Sequence, residues 1–155
     1  GIEFCILGHS ERRQLFHETN NEVCLKASRV IEHKIIPIVC IGETLEEKEN
    51  GKTNDVLFKQ LEDSIPISSN SDNTIIAYEP VWAIGSGLTP TLEEINTTHE
   101  FIKNYNSKFA KYKILYGGSV KANNAKEIVS LSNVDGALIG GASLKADDFS
   151  KIIEE

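Results

Sequence analysis

The 155 residues carry sixteen Lys and Arg against twenty-three Asp and Glu, a net charge of -7, with 40% hydrophobic and 25% charged residues. This is the composition of a folded domain with a core, and it excludes an intrinsically disordered chain. The acidic balance, with no basic run to track a phosphate backbone, argues against a nucleic-acid partner.

Five short apolar runs recur along the chain: Ile2 to Leu7, Ile35 to Ile41, Thr74 to Tyr78, Ile114 to Tyr116 and Ala137 to Ile139. Each is too short for a buried helix, and several are rich in β-branched residues, so each reads as a strand. They lack apolar–polar alternation, as expected of strands covered on both faces in a parallel sheet. Between them lie amphipathic helical patterns, at Val23, Cys24, Ala27, Val30 and Ile31, at Leu92, Ile95, His99 and Ile102, and at Phe149, Ile152 and Ile153, each able to cover a sheet with one face. Thr44-Leu45-Glu46-Glu47 and Thr91-Leu92-Glu93-Glu94 are capping boxes, marking helix starts after strand-end loops. The polar stretch Ser64 to Asn73 reads as a long αβ loop and not a linker, so residues 1–155 form one domain. A fivefold β–α alternation implies right-handed crossovers and a parallel sheet, either doubly wound or part of a barrel.

Cys5, Cys24 and Cys40 are odd in number and lack CxxC spacing, which argues against a disulfide framework or zinc site and for a reducing, cytoplasmic compartment. No apolar stretch is long enough to cross a bilayer, so no membrane association is expected. Gly1-Ile2-Glu3-Phe4 opens directly into a strand pattern, which reads as a cut and not a natural start.

Ligands of α/β proteins collect where parallel strands end. Those ends read Gly8-His9-Ser10-Glu11-Arg12-Arg13, Cys40-Ile41-Gly42-Glu43, Tyr78-Glu79-Pro80-Val81-Trp82-Ala83-Ile84-Gly85-Ser86-Gly87, Tyr116-Gly117-Gly118-Ser119 and Ile139-Gly140-Gly141-Ala142-Ser143. His9 is either a hydrogen-bonded structural histidine or a catalytic one. Glu79, followed by Pro80, is either a solvated loop carboxylate or a partly desolvated general base. The Gly117-Gly118-Ser119 and Gly140-Gly141 turns are either tight βα connections or two halves of a phosphate cradle. Cys40 and Tyr116 read as core residues, and Glu11, Arg12 and Arg13 as a solvated charge cluster. Serine-hydrolase elbows, Walker loops and His-x-x-x-His pairs do not occur.

Taken together and in this order, the Gly8–Arg13, Ala77–Gly85, Tyr116–Val120 and Gly140–Leu144 motifs resemble the triosephosphate isomerase family, and the resemblance runs through the whole chain. It implies a (β/α)8 TIM barrel of which this chain supplies the last five strand–helix units. By the same resemblance Glu79 is the base that moves a proton between two carbons of a triose phosphate, and neutral His9 donates to the enediolate oxygen, with Glu11 in the polar network beside it. Backbone N–H groups of Gly85, Ser119, Gly140 and Gly141 hold the phosphate, and residues Pro80 to Thr89 form a lid. No metal or organic cofactor is implied.

Two residues depart from the family pattern: Leu88 stands where many members carry lysine, and Pro90 cannot supply the N–H to which Tyr116 latches in other members. The resemblance further implies a homodimer. It also implies a need for an N-terminal segment with three strands, which carries the family's asparagine and lysine and a loop reaching into the other subunit. Two other readings stand beside it, a barrel fragment inactive without its complement and a phosphate-binding barrel of different chemistry.

Overall fold

The computed structural model describes residues 1–86 and 88–154. The strands are β1 (Phe4–Leu7), β2 (Ile36–Ile41), β3 (Ile75–Tyr78), β4 (Lys113–Tyr116) and β5 (Gly136–Ala137). The helices are α1 (Ser10–Phe16), α2 (Asn20–Glu32), α3 (Leu45–Glu49), α4 (Thr53–Ser64), α5 (Leu92–Asn104), α6 (Ala125–Val129) and α7 (Ala146–Ile153), with 3-10 turns at Val81–Ala83, Phe109–Lys111 and Gly141–Leu144. All neighbouring strands are parallel, in the order β1-β2-β3-β4-β5. A sequential order has no switch point, so right-handed crossovers all advance one way and set the helices on one face of the sheet. This is an arc of a (β/α) barrel, and it resolves the alternative of a doubly wound sheet.

The two faces of that arc are unequal. On the helix side Val39, Ile41, Ile76, Tyr78, Ile114 and Tyr116 join Leu57, Leu61, Ile95, Ile102 and Ile128 in one large buried core. Each such side chain contributes roughly 1.5–3 kcal/mol by leaving water. Among the described residues the buried apolar cluster on the other face is Ile38, Cys40 and Ala77, with Ile75, Leu115 and Leu138 half-buried beside them. Phe4 and Ile6 of β1 remain 49% exposed. Coverage on both faces therefore holds for the middle strands and not for β1.

Both expected capping boxes are present, and a third at Thr19–Glu22 starts α2. Each satisfies backbone donors that the first helical turn leaves unpaired, typically for about 1 kcal/mol. Two expectations need correction. The last strand is Gly136–Ala137 and not Ala137–Ile139: Leu138 N–H still donates to Tyr116 O at 2.9 Å, but regular pairing with β4 has ended. Having a neighbour on one side only, this edge strand keeps extended pairing only where β4 supplies it. Helix α7 buries no residue, with Ile153 67% exposed, so its apolar stripe covers little of the sheet although Ile152 touches the main core. Among the described residues no helix is long and apolar enough to cross a membrane.

Candidate active site

Parallel strands deliver their C-terminal ends to one rim, and His9 and Glu79 arrive there from β1 and β3. Gly8, at φ +67°, turns the chain out of β1 so that His9 becomes the N-cap of α1. The Glu11 N–H donates to His9 Nδ1 at 3.3 Å, so a singly protonated ring carries its hydrogen on Nε2. Nε2 lies 3.3 Å from Glu79 Oε1. The other carboxylate oxygen, Oε2, accepts from the Ser10 N–H at 3.1 Å.

Glu79 is only 2% exposed. Burial raises its pKa above the ordinary 4.5, and His9, the Ser10 N–H, the Cys40 thiol and the Arg13 charge each pull it back. A carboxyl whose proton affinity is raised in this way suits a general base near neutral pH. Its backbone is held from both sides: Glu79 N–H donates to Ile41 O at 2.7 Å, and Gly117 N–H donates to Tyr78 O at 2.7 Å. Glycine at 117 also leaves room for the side chain, since a Cβ there would lie 2.8 Å from Glu79 Cγ.

A cavity of about 730 Å³ contains both groups and brings in Gly85 from the same loop as Glu79, and Gly117, Gly118, Ser119, Gly140 and Gly141 from two further loops. The four expected phosphate-binding positions, Gly85, Ser119, Gly140 and Gly141, thus face the same space as His9 and Glu79. A Cβ on Gly140 or Gly141 would meet nothing within 4 Å, so the backbone here is open to the cavity. Glu11 is different. Its carboxylate is exposed and outside the cavity lining, and only its backbone N–H touches His9.

The segment after Glu79 is anchored by a second buried carboxylate. Glu43, 1% exposed, accepts on Oε1 from Trp82 Nε1 at 2.8 Å and from Tyr78 Oη at 3.2 Å, and burial raises its pKa. Lys48 Nζ lies 3.6 Å from the centre of the Trp82 ring and pairs with Glu94 at 2.9 Å. Within the expected lid, Gly87 lies outside the described residues. On α5, His99 is fully buried and edge-on to Tyr78, and burial pulls its pKa to about 4, so it is neutral at physiological pH.

The reading of Arg13 needs correction, and that of Cys40 as a core residue holds and is extended. Arg13 is no solvated charge: its guanidinium is partly buried and donates to Gly8 O, Cys40 O and Asn20 Oδ1 at 2.7, 3.2 and 2.6 Å. Cys40 is a core residue and also a neighbour of Glu79, with its thiol pKa pushed well up by burial and by that carboxylate. Adjacency to the strand end Ile41-Gly42 was the only sequence signal for Cys40. Lys121 and Lys145 also line the cavity and bring positive charge to an acidic chain, and no periodicity or spacing marked them.

A family model described as triosephosphate isomerase matches residues 1–155. Among relatives of that name, the protein from Brucella abortus biovar 1 is 48% identical, the match covering 99% of this chain and 63% of the relative. The one from Francisella philomiragia is 48% identical over 100% and 64%, and the one from Ruegeria pomeroyi 50% over 99% and 63%. The crystal structure of triosephosphate isomerase from Bartonella henselae superposes with a TM-score of 0.91 at 43% identity, covering 99% of this chain and 65% of that one. The chain therefore spans a little under two thirds of the length of these relatives.

Proposed function

We propose that this chain, which belongs to the triosephosphate isomerase family, interconverts glyceraldehyde 3-phosphate and dihydroxyacetone phosphate as part of a complete barrel. Glu79 takes the proton from the carbon beside the carbonyl, and the electron pair left behind forms an enediolate. His9 Nε2–H donates to the oxygen on which negative charge grows. Glu79 then returns the proton to the neighbouring carbon while the hydroxyl proton passes from one enediolate oxygen to the other beside His9, so the reaction is an isomerisation with no net redox change and no cofactor.

The 3.3 Å approach of His9 Nε2 to Glu79 Oε1, inside the cavity bordered by the glycine turns, carries this reading. A substrate seated in the cavity against both groups, their direct contact opened, would meet a desolvated base and a directed donor. The N–H groups of Gly85, Ser119, Gly140 and Gly141 hold the phosphate, which needs dipoles more than net charge. Glu11 contributes through its backbone N–H, fixing the His9 tautomer. Pro80 to Thr89 closes over the substrate and excludes water.

The working enzyme is a homodimer whose barrel is completed by a segment with three more strands beside β1, bringing a lysine to the phosphate and the enediolate oxygen. Exposure of Phe4 and Ile6 on the inner face of β1 supports a neighbour there. The deciding experiment is an isomerase assay of the full-length native protein and its Glu79→Gln variant. The amide keeps the shape and cannot take the proton, so kcat should collapse while inhibition by inorganic phosphate stays near normal. Near-normal turnover by the variant removes Glu79 as the base, and an inactive native protein removes the reading altogether.

A further inference from the structure

We propose that Arg13 is a positioning residue for this site: its guanidinium fastens the end of β1 to the end of β2 and thereby sets the separation between His9 and Glu79. The inference rests on the reading of those two residues given above.

The path is short at both ends. Arg13 Nε donates to Gly8 O at 2.7 Å, and Gly8 immediately precedes His9. Arg13 Nη2 donates to Cys40 O at 3.2 Å, and Cys40 immediately precedes Ile41, whose carbonyl takes the Glu79 N–H at 2.7 Å. One planar group thus reaches both partners through the backbone of adjacent strand ends. Two further N–H groups are also used, Nη1 on Asn20 Oδ1 at 2.6 Å and Nη2 on Ser64 Oγ at 3.4 Å, which locks the fork to α2 and α4. Four acceptors in fixed directions match a guanidinium and exceed what a lysine's single nitrogen can span.

Gly8 is fitted to this brace. A Cβ there would lie 2.9 Å from Arg13 Nη2 and 3.0 Å from Val23 Cγ2, and the left-handed φ would be strained for any side chain. The sequence places glycine where the chain must turn and where the arginine must come close.

The brace also carries charge toward the base. The groups facing Glu79 are His9 from the β1–α1 turn, the Ser10 N–H at the start of α1, Cys40 from β2 and Arg13 from α1, and Arg13 favours the ionised carboxylate. Burial lowers the Arg13 pKa from its ordinary value, yet an arginine stays protonated across the physiological range. Position and charge separate experimentally, because lysine keeps the charge and loses the fork.

The test uses the full-length native protein. Arg13→Lys should lower kcat by about 10- to 100-fold with KM within about twofold, the cost expected of a displacement near 1 Å at the reacting groups. The acidic limb of kcat/KM should not move. Arg13→Met should lose the same rate and also shift that limb to higher pH, because Glu79 then holds its proton more tightly. Arg13→Gln takes its place where the methionine variant does not fold. Independently of turnover, a ¹³C NMR titration of the Glu79 carboxyl should move to higher pH in the uncharged variant.

A fall in Tm with native kcat and an unmoved Glu79 titration would make Arg13 structural only and overturns the proposal. If the native protein does not isomerise triose phosphates, the functional reading fails, and an unmoved Glu79 titration then overturns the brace as well.

Discussion

A Cβ added to Gly42 would lie 1.7 Å from the carbonyl oxygen of Glu79 and 2.6 Å from its carbonyl carbon. No rotamer change can relieve this, because both partners are backbone. Glu79 is held in place by its N–H bond to Ile41 O, one residue before Gly42. Gly42→Ala must therefore push the β3 end away from the β2 end by roughly 1 Å or more. Overpacking of this kind costs about 1–3 kcal/mol. Misplacement of the base should lower kcat roughly 100-fold. Denaturant unfolding and an isomerase assay check the two halves, and native stability in the alanine variant would mean that the ends of β2 and β3 are free to part.

The raised pKa of Glu79 makes a stability prediction with a definite sign. The folded protein binds the Glu79 proton more tightly than the unfolded chain, whose carboxyl titrates near the ordinary 4.5. Stability is therefore lost as pH rises through the unfolded value toward the folded one, and the penalty is complete above the folded pKa. Glu79→Gln removes it. The variant should be more stable than the native protein at pH 7, with the gain fading as pH falls through the ordinary carboxylate range. Thermal melts across the acid and neutral range decide this, and a gain independent of pH, or a loss throughout, would show that burial does not govern this carboxyl. An active site that costs stability is expected where a charge is kept partly dry for chemistry.

The local signals in this sequence were strong where backbone geometry is set by neighbours along the chain. Thr44 and Thr91 announce their helices because the capping box is a four-residue device, and the apolar runs announce strands because a buried strand needs nothing more. The expected strand overran β5, whose pairing stops at Ala137 because the edge, and not the Leu138-Ile139 hydrophobicity, sets its length. It also passed over α1, where Ser10-Glu11-Arg12-Arg13 has no apolar period and the helix is set by the His9 cap. His9, Glu79 and the glycine turns were legible from strand ends together with family likeness. Arg13 and Cys40 were not, since their roles depend on which strand ends lie side by side, and that is a property of register.

Tyr116 places its hydroxyl in a buried position with no hydrogen-bond partner among the described residues, and burial pushes its pKa up. Gly118 packs against it so closely that a Cβ would lie 2.2 Å from the oxygen. Pro90, which follows the proposed lid segment, has no N–H to offer it. An unpaired buried hydroxyl costs about 1–3 kcal/mol, so Tyr116→Phe should leave stability unchanged or raise it by up to that amount. Turnover should stay within a few-fold of native, with lid closure depending on Ser119 instead. If the phenylalanine variant turns over about 100-fold more slowly, the scale of a lost transition-state donor, then the hydroxyl finds a partner when the lid closes.

The exposed apolar surface of β1 and α7 predicts how residues 1–155 behave when expressed alone. Ile2 is 67% exposed and Phe4 and Ile6 are each 49% exposed at one edge of the sheet, while Leu144 and Ile153 are 86% and 67% exposed at the other. The β1 edge also offers unpaired backbone donors and acceptors beside those side chains, which is a template for a further strand. Apolar area and open hydrogen-bonding groups on the same edge favour association over a solvated monomer. Sedimentation of the isolated 155 residues should show concentration-dependent self-association at micromolar levels. Ile6→Lys should reduce it, because a charge on the inner face of β1 cannot be buried against a second copy. Isomerase activity should be near background, since five strands alone cannot close the barrel wall that the proposed site requires. A monodisperse, active monomer at high micromolar concentration would mean that the five-stranded arc shields its own edges.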